Sequence, residues 1–464
     1  MRYLLGLLLV LAVASGVVFV VAGRGAAPSI QILQPSKMIG VDTALDVTVE
    51  TPKANLSRLE IVLEQNGKST ALFSLGAPAS ATLTQETPNR IRITRPIGKR
   101  AMPDLQAGAV RIVVTAARTT LFGTRTKEAS AARDLTARFN PPRVAAVSTH
   151  HYVNLGGSEM VVYSVSPPDV QSGVQVGDMI YPGFPASGAG VAAADPGLRV
   201  AFFALLYDQD LATPIRLFAR DDAGNEAHGS FDYKVFTKRF TKGRIELNDA
   251  FLQRVVPEIL EHSPELKIAI GPGENYLPAF LKVNSDLRRL NAEKIVGFAQ
   301  QTAPEVLWKG PFLPLGNAQV ESKFADHRTY FYDGKEVDQQ VHLGFDLAVT
   351  QRIAVLAGND GKVVYADYLG IYGNCIVIDH GMGVQSLYGH LSSIEVKAGD
   401  IVKKDQQIAR SGMTGLAGGD HLHFSIQLQG RPVNPVEWWD PHWIEDRVMR
   451  KLREAGAGAS TPQR

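Results

Sequence analysis

Two short segments carry side chains whose types and spacing suit metal chemistry. In "VHLGFDLAV" His342 stands four residues before Asp346, and in "GGDHLHFSIQ" only Leu422 separates His421 from His423. Successive side chains of a strand point to opposite faces, so His421 and His423 share one face while Leu422 and Phe424 take the other. Four residues is an even step on a strand and about one turn of a helix, so His342 and Asp346 can face one point in either case. Gly344 between them allows close approach. Imidazole with carboxylate suits zinc, and a catalytic zinc has three protein ligands and an open position for water. Each pattern alone is weak, since a lone His-x-His also lines solvated sheet faces. Together, with His390 of "SLYGHLSS" between them in one β-rich stretch, they form a candidate site.

The rest of the chain must position these groups. At 464 residues it is too long for one core, and about 150 residues per domain predicts roughly three domains. A hydrophobic fraction of 45%, a charged fraction of 20% and a net charge of +2 are ordinary for a globular protein and make no case for nucleic-acid binding. The single cysteine, Cys375, excludes an intramolecular disulfide and a Cys-rich zinc site, and its β-branched neighbours read as a strand in which it is a small buried hydrophobe. Residues 3–22, "YLLGLLLVLAVASGVVFVVA", carry no charge and are about long enough to span a bilayer, which predicts an uncleaved anchor; "AGRGAAPS" after it is the alternative cleavage site. In both cases the remaining chain is expected to be exported.

Between Ile30 and Asn140, stretches such as "ALDVTVE", "RIRITRP" and "VRIVVTAA" alternate in polarity between turn signals, which predicts an antiparallel β-sandwich. A second β-rich stretch ends in "PIRLFARDDAGNEAHGSFDYKVF", where Asp222 to Asn225 read as a hairpin turn like that closing a bacterial immunoglobulin-like module. From Thr237 the period changes. Phe251, Leu252, Val255, Val256, Ile259 and Leu260 recur at helical spacing after the capping residue Asn248, with Pro257 expected to kink or shorten the helix, and a second helical stretch runs from about Leu277 to Phe298. The expected fold is multidomain and mainly β: a transmembrane anchor or signal segment (1–27), two immunoglobulin-like β-sandwich modules (28–140 and 141–237), a helical connector (238–308), a C-terminal β-rich domain that carries the candidate site (309–445) and a basic tail (446–464). The connector helices read as packing elements that can also shade a substrate groove.

The segment from about Lys323 to Pro435, roughly a quarter of the chain, resembles the lysostaphin-type (LytM-like) zinc metallopeptidases, which cut peptide cross-bridges of bacterial peptidoglycan. The pieces that carry the resemblance are "FADHRTYFYDG", "VHLGFDLAV", the run "GKVVYADYLGIYGNCIVIDHGMGVQSLYGHLSS" with its sequel "IEVKAGDIVKKDQQIARSGMTG", and "GGDHLHFSIQLQGRPVNP". The resemblance implies that His342, Asp346 and His423 hold zinc, that His421 and His390 act on the water and the transition state, and that a small antiparallel sheet forms a groove open to an extended peptide. Two neutral imidazoles and one carboxylate would leave the site at about +1, so that zinc stays a strong Lewis acid. With no His-Glu-x-x-His motif to supply a glutamate base, His390 and His421 are the candidates to accept the water's proton or to stabilise charge on the scissile carbonyl oxygen, in either assignment. Ser425 stands where many relatives carry an acidic residue, a departure that bears on activity or substrate preference. His380 matches a structural position of the family; Arg328 and Tyr388 are candidates for the groove lining or for packing; the other histidines fall at no ligand position.

These readings predict a membrane-anchored zinc endopeptidase acting on peptidoglycan peptides, attached through residues 3–22 with its bulk periplasmic or extracellular. The alternative is a non-catalytic wall-binding or regulatory protein that activates a separate hydrolase, against which the complete set of five residues argues. A biotinyl- or lipoyl-type carrier, suggested by the hairpin style of "IEVKAGDIVKKDQQIARSG", has no suitable turn lysine and leaves the histidines unexplained.

Overall fold

Alternation and apolar runs in the sequence turn into strands that the computed structural model describes over residues 26–51, 56–77, 81–120, 125–192, 195–271 and 274–459, with Val13 and Gly16. The expected anchor at 3–22 lies outside the described residues except at those two positions, and no helix among the described residues is long and apolar enough to cross a membrane. Two compact units form, one comprising the residues up to Pro142 with Arg220–Ala227, the other Arg143–Ala219 with His228–Arg464.

In the first unit a four-stranded sheet has the spatial order Ser29–Gln34, Ala44–Glu50, Arg90–Pro96, Thr82–Thr87, and a five-stranded sheet the order Met38–Ile39, Arg125–Ala137, Gly108–Thr120, Leu56–Gln65, Lys68–Ser74. Val47, Val49 and Ile93 of the first sheet meet Ile61, Ile112 and Val114 of the second in one core. This is the sandwich that period-2 burial dictates.

The second unit begins with two further sheets, one ordered Arg143–Ala146, Gly157–Ser166, Leu198–Leu205, Phe184–Pro185 and one built around Gln171–Val176 and Met179–Pro182. Gly157–Ser166 and Leu198–Leu205 are buried at nearly every position rather than at alternate ones. The reason is that their core continues into the C-terminal region: Met160 and Phe202 share one apolar cluster with Trp308, Phe312 and Trp438. The stretches 141–237 and 309–445 therefore close one core together.

The stretch 238–308, expected to be helical, opens with a strand, Lys242–Leu247, that pairs in parallel with Asp326–Tyr332. Its alternating Arg244, Ile245, Glu246 and Leu247 are too few to stand out beside the helix signal that follows. Asn248 caps the helix Asp249–Glu261 by accepting from the Phe251 amide at 2.9 Å. That helix runs through Pro257 to Glu261. Burial of Leu252, Val255, Val256 and Ile259 against Tyr330 and Ile371 offsets the missing backbone bond, so proline does not shorten it. A second helical run, Leu277–Lys282 and Arg288–Ala299, is joined through the π-turn Val283–Leu287.

The C-terminal sheet is antiparallel throughout, ordered Gln319–Ser322, Phe345–Ala348, Leu422–Leu428, Val384–Leu391, Asn374–Asp379, Gly361–Tyr368, Ile401–Val402, with Arg431–Val433 also paired to Leu422–Leu428. Leu422, Phe424, Ile426 and Leu428 point into the large core, as alternation predicts. On the other face Cys375, Val377 and Leu387 pack beneath Ile295 of the helix Arg288–Ala299. The chain end is less a tail than a packed element: Ile444, Val448, Leu452 and Ala455, at helical spacing, are buried, and Lys451 forms a buried ion pair with Glu159 at 2.8 Å.

Candidate metal centre

Three adjacent strands, Phe345–Ala348, Leu422–Leu428 and Val384–Leu391, carry Asp346, His423 and His390, and His342 and His421 come to them from just outside. Asp346 lies directly opposite His423 in the ladder between Phe345–Ala348 and Leu422–Leu428, and His423 lies opposite Gly389 on its other side. His342 ends a different strand, Lys335–His342, so it and Asp346 share neither a strand nor a helical turn. The chain turns between them at Leu343 and Gly344. A Cβ on Gly344 would sit 2.5 Å from His423 Nε2, so this glycine makes room for the third residue rather than for approach between the first two.

His342 Nε2 lies 2.9 Å from Asp346 Oδ1 and 3.0 Å from His423 Nδ1, and His423 Nδ1 lies 3.0 Å from the same Asp346 oxygen. His421 Nε2 stands 3.4 Å from Asp346 Oδ1, and the His390 and His421 ring centroids are 4.8 Å apart. The group lies on the floor of a groove of about 730 Å³, walled by Ile245, Leu247, Phe251, Tyr372 and Leu416. Arg328, on the floor as well, donates to the second Asp346 oxygen at 2.8 Å and so leaves only Oδ1 for the cluster.

Main-chain carbonyls set the imidazole tautomers. Lys323 O lies 3.2 Å from His342 Nδ1, Thr414 O 2.9 Å from His390 Nδ1 and Gly419 O 2.9 Å from His421 Nδ1. A carbonyl only accepts, so each Nδ1 carries a proton and each ring turns to the site an Nε2 that is bare whenever the ring is neutral. At His342 that bare nitrogen faces a carboxylate oxygen and another imidazole nitrogen, an arrangement that a shared cation reconciles. Zinc–ligand bonds of about 2.0–2.2 Å place tetrahedral neighbours some 3.3–3.6 Å apart, so separations of 2.9–3.0 Å need to open by only about half an ångström. The donor set fits a metal ion, and all three residues are buried.

Burial works against ionisation of Asp346, but the His342 imidazole and hydrogen bonds from the surrounding histidines hold its carboxyl well below the usual carboxylate range. Burial pushes His423 down to about 4 and, with positive charge on His421 and His423 adding to it, pushes His390 well below the ordinary histidine value. His421 shifts the other way: burial lowers it, and the hydrogen bond and charge of Asp346 raise it by more.

Other candidates resolve differently. His380 is fully buried between Asp360 O and Ser386 Oγ, both at 2.7 Å from its nitrogens, with burial pushing it down to about 4. Tyr388 is no groove residue: it packs on Phe424 and accepts from the Gly358 amide at 2.8 Å. Ser425 is buried and accepts from Gln427 Nε2 at 3.3 Å. The connector helix, read from the sequence as able to shade a groove, supplies Phe251 to the wall, whereas the part built by Ile245 and Leu247 of the strand Lys242–Leu247 has no local signal, since its partner strand lies far downstream.

Residues 340–435 match the description Peptidase family M23, so the C-terminal region is an M23 (LytM-like) domain. The chain is 40% identical over 120 residues to a protein named an uncharacterized metalloprotease from Haemophilus influenzae, covering 26% of this chain and 25% of that protein. It is 36% identical over 119 residues to the peptidoglycan DD-endopeptidase ShyB of Vibrio cholerae, covering 26% and 27%. It is 40% identical over 95 residues to the murein hydrolase activator EnvC of Escherichia coli, covering 20% and 23%. The chain thus spans about a quarter of the length of these curated relatives. Among solved structures, the catalytic domain of lysostaphin from Staphylococcus simulans aligns at 28% identity with a TM-score of 0.24, covering 27% of this chain and 94% of that chain.

Proposed function

We propose that the chain is a zinc-dependent endopeptidase that hydrolyses peptide cross-links of bacterial peptidoglycan, anchored in a membrane through residues 3–22 with its bulk periplasmic or extracellular. The observation that carries this reading is the convergence of His342 Nε2, Asp346 Oδ1 and His423 Nδ1 to within 2.9–3.0 Å on a groove floor that also holds His390 and His421. The substrate class is supported by the name of the Vibrio cholerae relative, a peptidoglycan DD-endopeptidase. We read the upstream β-sandwiches as immunoglobulin-like modules.

Zinc held by His342, Asp346 and His423 would supply a Lewis acid for the amide carbonyl and bring the pKa of water towards about 7. The chain's own groups do the rest. The groove takes an extended peptide, and Phe251, Tyr372 and Leu416 exclude bulk water around it. Arg328 holds Asp346 to a single free oxygen. His390 and His421 keep their Nδ1 protons on main-chain carbonyls and turn Nε2 to the site, where either ring can exchange a proton with water and with the departing amine.

The identity to a protein named a murein hydrolase activator favours a second reading, activation of a separate hydrolase. Mass spectrometry of muropeptides from purified peptidoglycan, treated with the zinc-loaded full chain or with His342→Ala, separates the two. Cross-linked dimers should disappear only with the unmodified chain; unchanged muropeptides with one zinc bound would move the activator reading ahead.

A further inference from the structure

His390 is oriented by a loop, and the loop is held by a helix that lies outside the M23-matched segment. Between the strands Gln407–Arg410 and Leu422–Leu428 runs "SGMTGLAGGD", residues 411–420, which includes Gly412, Gly415, Gly418 and Gly419. Such a segment has much conformational entropy to lose; the Thr414 hydroxyl, accepting from the Asn374 amide and donating to Leu391 O, and the Leu416 amide, donating to Ile371 O, tie it to the sheet side at 2.9 Å each. Yet Thr414 O must stay 2.9 Å from His390 Nδ1 if that ring is to keep its tautomer and direction.

The Thr414–Gly415 peptide group meets this need from both sides. Its carbonyl accepts from His390, and its N–H, the Gly415 amide, donates to Glu258 Oε1 at 3.0 Å. Glu258 sits on the helix Asp249–Glu261, and Tyr368 Oη donates to the same oxygen at 3.1 Å. One turn earlier on the helix, Arg254 Nη2 donates to Ala417 O at 2.5 Å. The helix itself is seated on Ile371 and Leu416 by Val255, Val256 and Ile259. A carboxylate at one end of a peptide group polarises it and strengthens its oxygen as an acceptor at the other end. The sequence of contacts is therefore carboxylate, peptide, imidazole.

We propose that Glu258 is a positioning residue for the endopeptidase site, fixing the orientation and tautomer of His390 through the Thr414–Gly415 peptide group. The inference rests on the hydrolase reading above. It assigns to the connector helix a part in the chemistry, and it places the determinant of a catalytic histidine about 130 residues away from it in the chain, outside residues 340–435.

The test uses the zinc-loaded full chain, Glu258→Ala and Glu258→Gln. Turnover of cross-linked muropeptides, zinc content, thermal midpoint and the ¹⁵N signals of labelled histidines are measured on each. Loss of an outer partner of a site histidine typically costs about 10–100-fold, so kcat should fall by about that factor in Glu258→Ala with KM and zinc content unchanged. Glu258→Gln, which keeps an acceptor for the Gly415 amide, should recover most of the loss, and the His390 Nδ1–H signal should move in Glu258→Ala and return in Glu258→Gln. Unchanged kcat and an unmoved His390 signal in Glu258→Ala would overturn the proposal. So would a loss that follows zinc content or thermal midpoint and is not rescued by Glu258→Gln, since that marks a structural role. If the unmodified chain cuts nothing, the hydrolase reading fails, and the His390 signal alone decides whether Glu258 positions that ring.

Discussion

His390 and His421 stand with ring centroids 4.8 Å apart, although strand alternation alone would turn His390 away from His421. Tyr388, two residues earlier, points into the core against Phe424, and a regular strand would carry His390 the same way. The ladder to Asn374–Asp379 slips between Ile376 and Asn374, which pair with Tyr388 and Leu391, so one extra residue is inserted. His390 takes it up with φ at 62°, in the left-handed region, and the bulge re-aims its ring to the metal-site face.

This pairing predicts a division between binding and chemistry. His390→Ala and His421→Ala should each lower turnover of peptidoglycan peptides by about 10²–10⁴-fold, the range for lost proton transfer, while each variant still holds one zinc by elemental analysis. Loss of zinc from either would mean that the ligand set is larger than His342, Asp346 and His423.

Gly344→Ala should damage the site without touching a donor. The added methyl would lie 2.5 Å from His423 Nε2 and 2.8 Å from Phe424 O, and it must displace the ring or the strand. Zinc affinity by chelator competition should fall at least about tenfold, the lower range seen when a ligand's support is disturbed, while far-ultraviolet circular dichroism stays that of the unmodified chain.

Lys451→Met should destabilise the second unit. Lys451 is buried against Glu159, whose oxygens also accept from the Met160 and Tyr152 amides. Burial raises the Glu159 carboxyl and lowers the Lys451 amine, so removing the amine leaves a buried acid whose remaining cation, Arg447, stands 3.9 Å away. A loss of about 3–5 kcal/mol in denaturant unfolding is expected, and adding Glu159→Gln should restore part of it.

Glu437 predicts a pH dependence unrelated to the metal. It is buried, accepting from Asn154 Nδ2 at 2.8 Å and the Ser158 amide at 2.6 Å, and burial pushes its carboxyl up from 4.5 to about 7 against those bonds. A raised acid binds its proton more tightly in the folded state. Its stabilising contribution is complete below about 4.5 and is lost as pH rises through about 7. Unfolding midpoints should therefore fall across that interval more steeply for the unmodified chain than for Glu437→Gln; parallel curves would assign the dependence elsewhere.

The sequence by itself determined the chemistry at hand and the local elements: His421 and His423 on one face of the extended run that enters the strand Leu422–Leu428, Asn248 as a helix cap, and alternating stretches that close into the first sandwich. Those are consequences of side-chain periodicity and of donor and acceptor types, which act within a few residues. Tertiary structure decided what depends on distant partners. It placed His342 and Asp346 on different strands, left Gly344 free for His423, turned His390 from the core to the metal-site face through a bulge, and built one groove wall from residues 243–251. It also joined the stretches 141–237 and 309–445 in one core, because an apolar run shows that a strand is covered on both faces but not what covers it.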